Sequence, residues 1–254
     1  MKKSIKILII IVSILLAIGI GILITIKLTT KNDTGNINDT GDIEETKILY
    51  TFTDPLNNKI NIVYNEILDK KYMGVDLSRF EEKEDKLRKN IRKTVYKDSD
   101  YKKLNLSDEY NEAYNELLKK LRGINGSGYS KENLRIALQK EGIQSDVIEY
   151  VLDNANIDYN DQALMAVYKY LQGGHSKINV DDKLYNEAFT EEEIKYALNE
   201  VGEIDYYEQA LYEACYYRFY KLYDKVQTTR YMRIENFTEE EIEYAVNIAF
   251  EKIK

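Results

Sequence analysis

The chain has 254 residues and a formal net charge of −8, with one Pro, 12 Gly, one Cys and one His. A single Cys excludes an intramolecular disulfide. With only His175 beside it, zinc sites built on several His or Cys are excluded too, as is any Ser-His-Asp triad not using that His. Few Gly and Pro, with 44% hydrophobic residues, point to a helical protein with a buried core, organised as one medium domain or two small ones.

Ile7 to Ile26 is an uncharged run rich in Ile and Leu. At 1.5 Å per residue its 20 residues span about 30 Å, the thickness of a hydrocarbon core. A cleaved signal peptide would carry an apolar region of only about 7–15 residues, ending in small residues. Here the run ends Leu23-Ile24-Thr25-Ile26-Lys27, and no Cys follows for acylation. Lys2, Lys3 and Lys6 precede the run. The expected order is a cytoplasmic N-terminus (1–6), a transmembrane signal anchor (7–26) and a tether (27–45), with the rest of the chain outside the cell membrane. The polar tract Thr29–Glu45 has no periodicity and would hold the outer domain about 20 Å from the bilayer.

Residues 46–106 read as a helical preface. Ile48–Phe52 is a short apolar run of undefined type. Asp54-Pro55 has the form of an N-cap followed by Pro at the first helical position, with Leu56, Ile60, Val63 and Ile67 following at helical spacing. Asp76 would cap a second helix carrying Leu77, Phe80, Leu87, Ile91 and Val95 on one face and Lys and Arg on the other. Lys97 to Leu106 reads as a connector.

The remainder repeats itself. Ala188-Phe-Thr-Glu-Glu-Glu-Ile-Lys-Tyr-Ala197 recurs 48 residues later as Asn236-Phe-Thr-Glu-Glu-Glu-Ile-Glu-Tyr-Ala245, with a looser version at Gly142–Val151. Asp158-Tyr-Asn-Asp-Gln-Ala-Leu164 recurs as Asp205-Tyr-Tyr-Glu-Gln-Ala-Leu211, with a fainter copy at Asp108–Tyr114. Between them lies a second helix, starting at Ser130, Ser176 and Asp224, all good N-caps. Gly142 would end the first of these in a left-handed turn; Ala188 and Asn236 replace it, so the later turns are expected to be made differently. Thr190-x-x-Glu193 and Thr238-x-x-Glu241 are capping boxes, with Phe189 and Phe237 as staples onto Ile194 and Ile242. The expected architecture is all-α: tandem three-helix, helix-turn-helix-like repeats (107–157, 158–204 and 205–254) behind a single N-terminal transmembrane helix.

The pattern Ser-x3-Leu-x3-Leu, then Glu-Gly-Phe-(Ser/Thr)-x-Glu-x-(Ala/Ile)-x-Tyr-Ala, then Asp-(Trp/Tyr)-Asn-x-Gln-Ala-Leu, resembles the Ltp-type host cell surface-exposed lipoproteins. It runs from Ser130 to Leu164, again from Ser176 to Leu211, and in part from Asp224 to Ala249, so the resemblance covers roughly residues 108–254. It implies three-helix modules outside a host membrane. It also implies a non-enzymatic role in superinfection exclusion, in which such prophage-borne proteins block injection of a second phage's DNA by engaging its injection machinery. This chain departs from the family in lacking the lipobox Cys, in carrying Tyr159 and Tyr206 where Trp is usual, and in its preface at 46–106.

Residues 105–254 hold 17 Lys and Arg against 29 Asp and Glu. Such a surface repels nucleic acid and attracts a protein partner with a basic surface. The candidate partner-binding residues are Glu191, Glu192, Glu239 and Glu240, which the capping does not use, together with Asp158 and Asp205 at the other acidic helix starts. Asp158-Tyr-Asn-Asp161 lacks the central Gly and distal Glu of a calcium loop, so no metal or other cofactor is expected, and no catalytic residue is assigned. His175, after Gly173-Gly174, reads as a solvated loop residue, Cys215 as a small core residue, and the Tyr212–Tyr223 aromatics as the sides of a buried helix. The alternative to a superinfection-exclusion protein is a cell-envelope adaptor that binds wall polymer or another membrane protein.

Overall fold

The computed structural model describes residues 47–68, 70–96, 107–122 and 128–254. The expected anchor (7–26), tether and connector (97–106) lie outside the described residues; among those described, no helix is long and apolar enough to cross a membrane. The fold is mostly helical, with one small sheet that the all-α expectation missed.

That sheet replaces the helix expected after Asp54. Strands β1 (Ile48–Thr53), β2 (Lys59–Ile67) and β3 (Lys70–Val75) form an antiparallel meander in the order β1-β2-β3. Asp54-Pro55 starts a turn: the Asn57 amide donates to the Asp54 carbonyl at 3.0 Å and the Asp54 amide to the Asn58 carbonyl at 3.0 Å. Asn57 takes φ +68°, which Asn tolerates. An Asx-type side chain followed by Pro serves a turn as well as a helix start, and the β-branched, alternating Ile60 and Ile62, both buried, decide for the strand.

Helix α1 (Ser78–Tyr96) begins as expected, the Asp76 carboxylate accepting from the Ser78 amide at 3.1 Å. Nine helices follow among the described residues, in three successive groups of three. The first group is α2 (Asp108–Arg122), α3 (Lys131–Lys140) and α4 (Ser145–Asn154). The second is α5 (Tyr159–Gln172), α6 (Lys177–Asn186) and α7 (Glu191–Val201). The third is α8 (Tyr206–Cys215), α9 (Lys225–Ile234) and α10 (Glu239–Asn247). Helices α8 and α10 each end in a π-helical turn, Tyr216–Tyr220 and Ile248–Lys252.

Corresponding positions are buried alike. Ala113, Ala163 and Ala210 on the first helices, Leu134, Val180 and Thr228 on the second, and Ile148, Ile194 and Ile242 on the third are all in the interior. The left-handed turn ending the second helices is also shared: Gly142, Ala188 and Asn236 have φ +83°, +58° and +59°. The expectation of a different turn in the later copies is therefore corrected. Ala188 is exposed, and its conformation, which costs an L-residue about 1–2 kcal/mol, is held by the turn's own bonds: the Ala188 amide donates to the Tyr185 carbonyl at 2.9 Å and the amide of the buried Phe189 to the Leu184 carbonyl at 3.2 Å. Thr190 and Thr238 close their capping boxes, each hydroxyl accepting from, and each Glu reaching back to, the expected amide. Thr190→Ala and Thr238→Ala should each cost about 1 kcal/mol, read as a shift in the urea midpoint.

The serine at the head of a second helix bonds its group to the next one. Ser130 Oγ caps α3 by accepting from the Asn133 amide at 3.1 Å, and it donates to the carbonyl of Glu187 just past α6. Ser176 Oγ likewise caps α6 and donates to the Glu235 carbonyl past α9 at 2.6 Å. The buried Gln162 of α5 reaches back into the preceding group, accepting from the Gly128 and Tyr129 amides at 2.8 and 3.2 Å. The core divides in two. Residues of α2, α3 and α4 enclose Ile91 and Met165, while the sheet, the start of α1 and helices α5 to α10 enclose the larger part. Helices α1 and α5 contribute to both and tie them together.

Candidate functional site

The capping boxes consume the third acid of each Glu-Glu-Glu run and leave the first two outside. Glu191 and Glu192 at the start of α7, and Glu239 and Glu240 at the start of α10, are exposed. Glu239 is engaged: the Arg233 guanidinium donates to it twice, at 2.7 and 2.8 Å, and holds its carboxyl below the usual range. Asp158 caps α5 by accepting from the Asn160 and Asp161 amides at 3.0 and 3.3 Å. It shares a shallow groove of about 420 Å³ with Tyr159, Asn160 and Glu193.

Asp205 sits elsewhere, in a cleft of about 500 Å³ between the sheet and the start of α8. It caps α8 through the Glu208 amide at 3.1 Å. Asn58, at the end of the β1–β2 turn, donates from the same Nδ2 to Asp54 Oδ2 and to Asp205 Oδ2, each at 3.2 Å. Asp76, Glu203, Glu208, Lys59 and Arg79 supply its other charged groups, and Leu56, Asn61 and Ser78 complete the lining. The Arg79 guanidinium forks onto the buried Glu208, with one arm at 2.7 Å. Burial raises the Glu208 carboxyl, and Arg79 opposes that rise. Burial, with the Asp54 carboxyl close by, pushes the Asp205 carboxyl up to about 6.

A carboxyl raised on folding favours the protonated native state, so ionised Asp205 weakens the fold above about pH 6 and the penalty fades as pH falls through 6 toward the unfolded value near 4. Asp205→Asn keeps a good N-cap. It should raise the melting temperature at pH 7 and raise it much less at pH 4.5, as thermal denaturation at the two pH values would show.

The turn that closes this cleft also meets Glu240: Pro55 lines a shallow depression with Tyr207, Glu240, Glu243, Tyr244 and Asn247. The structure thus places Asp205 and Glu240 on either side of one hairpin turn, while Asp158 lies in its own groove beside Glu193, with Glu191 and Glu192 at the same helix start. The sequence marks Asp54 only as a cap and does not mark Asn58 or Arg79 at all; the fold brings all three to this cleft or its edge. His175 is half-buried rather than solvated: its ring meets Tyr170 edge-on at 5.9 Å, and burial with Lys183 nearby lowers it to about 4, so it is neutral at physiological pH. Cys215 is fully buried, and burial pushes its thiol up to about 12. No protein-family model, curated protein or solved structure matches the chain.

Proposed function

We propose that the chain is a membrane-tethered, outward-facing binding protein built from three copies of one three-helix module, acting in superinfection exclusion by engaging a basic surface on an incoming phage's injection machinery. The observation that carries this reading is the pair of acidic helix starts. The Thr-x-x-Glu boxes at Thr190 and Thr238 fix α7 and α10 with one acid each, and the leading acids Glu191, Glu192 and Glu240 stay exposed with no ion pair among the described residues. The excess of acids over cations in residues 105–254 adds long-range attraction for such a partner. The uncharged run Ile7–Ile26 supports the tether, and the Ser-x3-Leu and Phe-Thr-x-Glu patterns support the family resemblance.

The test is to produce the chain in a bacterial host and measure phage adsorption and DNA injection separately. Normal adsorption with blocked injection is expected for at least one phage of a broad panel, and Glu191→Lys with Glu192→Lys and Glu240→Lys should restore injection. Unimpaired injection across the panel would sink the reading. Retention of the chain on purified cell wall in that case would favour an envelope adaptor.

A further inference from the structure

The second helix of each group is preceded, two residues before its N-cap, by a left-handed residue: Gly128, Gly174 and Leu222, at φ +81°, +69° and +61°. Glycine adopts this conformation freely and leucine does not. Leu222 is 76% exposed and Val226 is 77% exposed, the highest values among the large apolar side chains described. The third group therefore holds a strained leucine pointing into solvent at a position where glycine suffices in the other two. Such an outlier is a reason to look for a role for the side chain itself.

Its surroundings are aromatic and cationic. Tyr223 stacks on Tyr217 at 5.6 Å and on Tyr231 at 5.0 Å, and Tyr216 stacks on Tyr220 at 5.0 Å. The Lys221 amine lies 5.3 and 5.6 Å from the rings of Tyr216 and Tyr220, and the Lys70 amine 5.0 Å from Tyr220. Residues 216–234 carry five cations and one acid, inside a region with 17 cations and 29 acids. The acids at this surface are Asp224, the N-cap of α9, Glu66, across from Lys71 on the neighbouring strand, and Glu213 and Glu235, which lie beside Tyr217 from α8 and from the end of α9. Glu251 and Glu239 are paired with Lys225 and Arg233.

The sheet register gives the direction of the incoming chain. Ile48 pairs with Val63, and Ile67 with Lys70, so β1 enters from the β2–β3 turn side, where the Lys70 amine approaches the Tyr220 carbonyl at 3.4 Å. The tether 27–45 precedes that strand. In the membrane-tethered reading those residues join the uncharged run to β1, so the end of the domain at which β1 enters is the end nearest the bilayer.

We infer that this surface docks on the bilayer itself: Leu222 and Val226 enter the headgroup region, the tyrosines sit at the interface, and Lys221 and Lys70 meet the phosphates of anionic phospholipid. The inference rests on the membrane-tethered reading above.

It is tested with the full chain reconstituted in phosphatidylcholine vesicles, with and without phosphatidylglycerol. A fluorophore is placed at Leu222→Cys or, separately, at Val226→Cys, since the buried Cys215 does not compete for the label. Glu191→Cys serves as the reference position. Quenching by spin-labelled lipid should be several-fold stronger at 222 and at 226 than at 191. It should increase with phosphatidylglycerol and fall with Lys70→Glu plus Lys221→Glu. Equal, weak quenching at all three positions in a chain that resists alkaline extraction would overturn the docking and leave the anchor intact, freeing the patch for a protein partner. Weak quenching in a chain that alkali extracts would overturn both.

Discussion

Gly174→Ala should destabilise the fold by about 2–5 kcal/mol, combining left-handed strain of about 1–2 kcal/mol with overpacking of about 1–3 kcal/mol. Gly174 has φ +69°, and a methyl group there would stand 2.2 Å from Cδ1 of the Tyr212 ring. That ring is buried at the seam between the second and third groups, so it has little room to retreat. Gly142→Ala is the internal control. Gly142 has φ +83° with nothing within 4 Å of the added carbon, so only the backbone term applies, about 1–2 kcal/mol. Urea denaturation should give a clearly lower midpoint for Gly174→Ala than for Gly142→Ala, with similar slopes. Equal midpoints would mean that Tyr212 yields and that the seam is not closely packed.

Phe189→Ala should cost about 3–5 kcal/mol, the range for a buried Phe truncated to Ala. Phe189 is 4% exposed at the turn between α6 and α7, its amide donating to the Leu184 carbonyl at 3.2 Å, and it belongs to the same core as Ile194. Removing the ring opens a cavity in that core. Tyr185→Ala, four residues earlier and 55% exposed, should change stability by less than about 0.5 kcal/mol. A melting curve for Phe189→Ala no different from that of Tyr185→Ala would show that the staple is not structural.

These residues could be found from sequence because the signals are local and stated twice. Thr190, Glu193, Phe189 and Ile194 lie within six positions of one another, and the second copy at Phe237–Ile242 removes ambiguity. The hairpin was misread because its cues are shared between two structures. Asp54-Pro55 can open a helix or a turn, and Leu56, Ile60, Val63 and Ile67 fit a helical period as well as a twisted strand that is buried at Ile60, Ile62 and Val63. The turn after α6 departs from expectation for a different reason: propensity argues against a left-handed Ala188, and the turn's closing hydrogen bonds, with the burial of Phe189 next to it, override that preference. Of the candidate site, the acids were legible as the acids of a repeat. Their company was not, because Asn58 reaches Asp205 across 147 positions of chain and Arg79 reaches Glu208 across 129. Only the folded sheet brings those side chains to one cleft, and no spacing rule anticipates it.

The serine at the head of each second helix has one further implication. A hydroxyl both gives and takes a hydrogen bond, so Ser130 and Ser176 each stitch their own helix and grip the carbonyl of the group ahead. The corresponding residue in the third group is Asp224, whose carboxylate accepts from the Gln227 amide at 2.7 Å but, when ionised, has no proton to offer. The linkage therefore has a direction and a stop. Groups are joined donor to acceptor from the first to the third, and a further module placed beyond Asp224 could not be coupled by the same bond. Asp224→Ser would restore the missing donor and make the third group a competent joint, which turns a single side chain into the handle for lengthening the array by design.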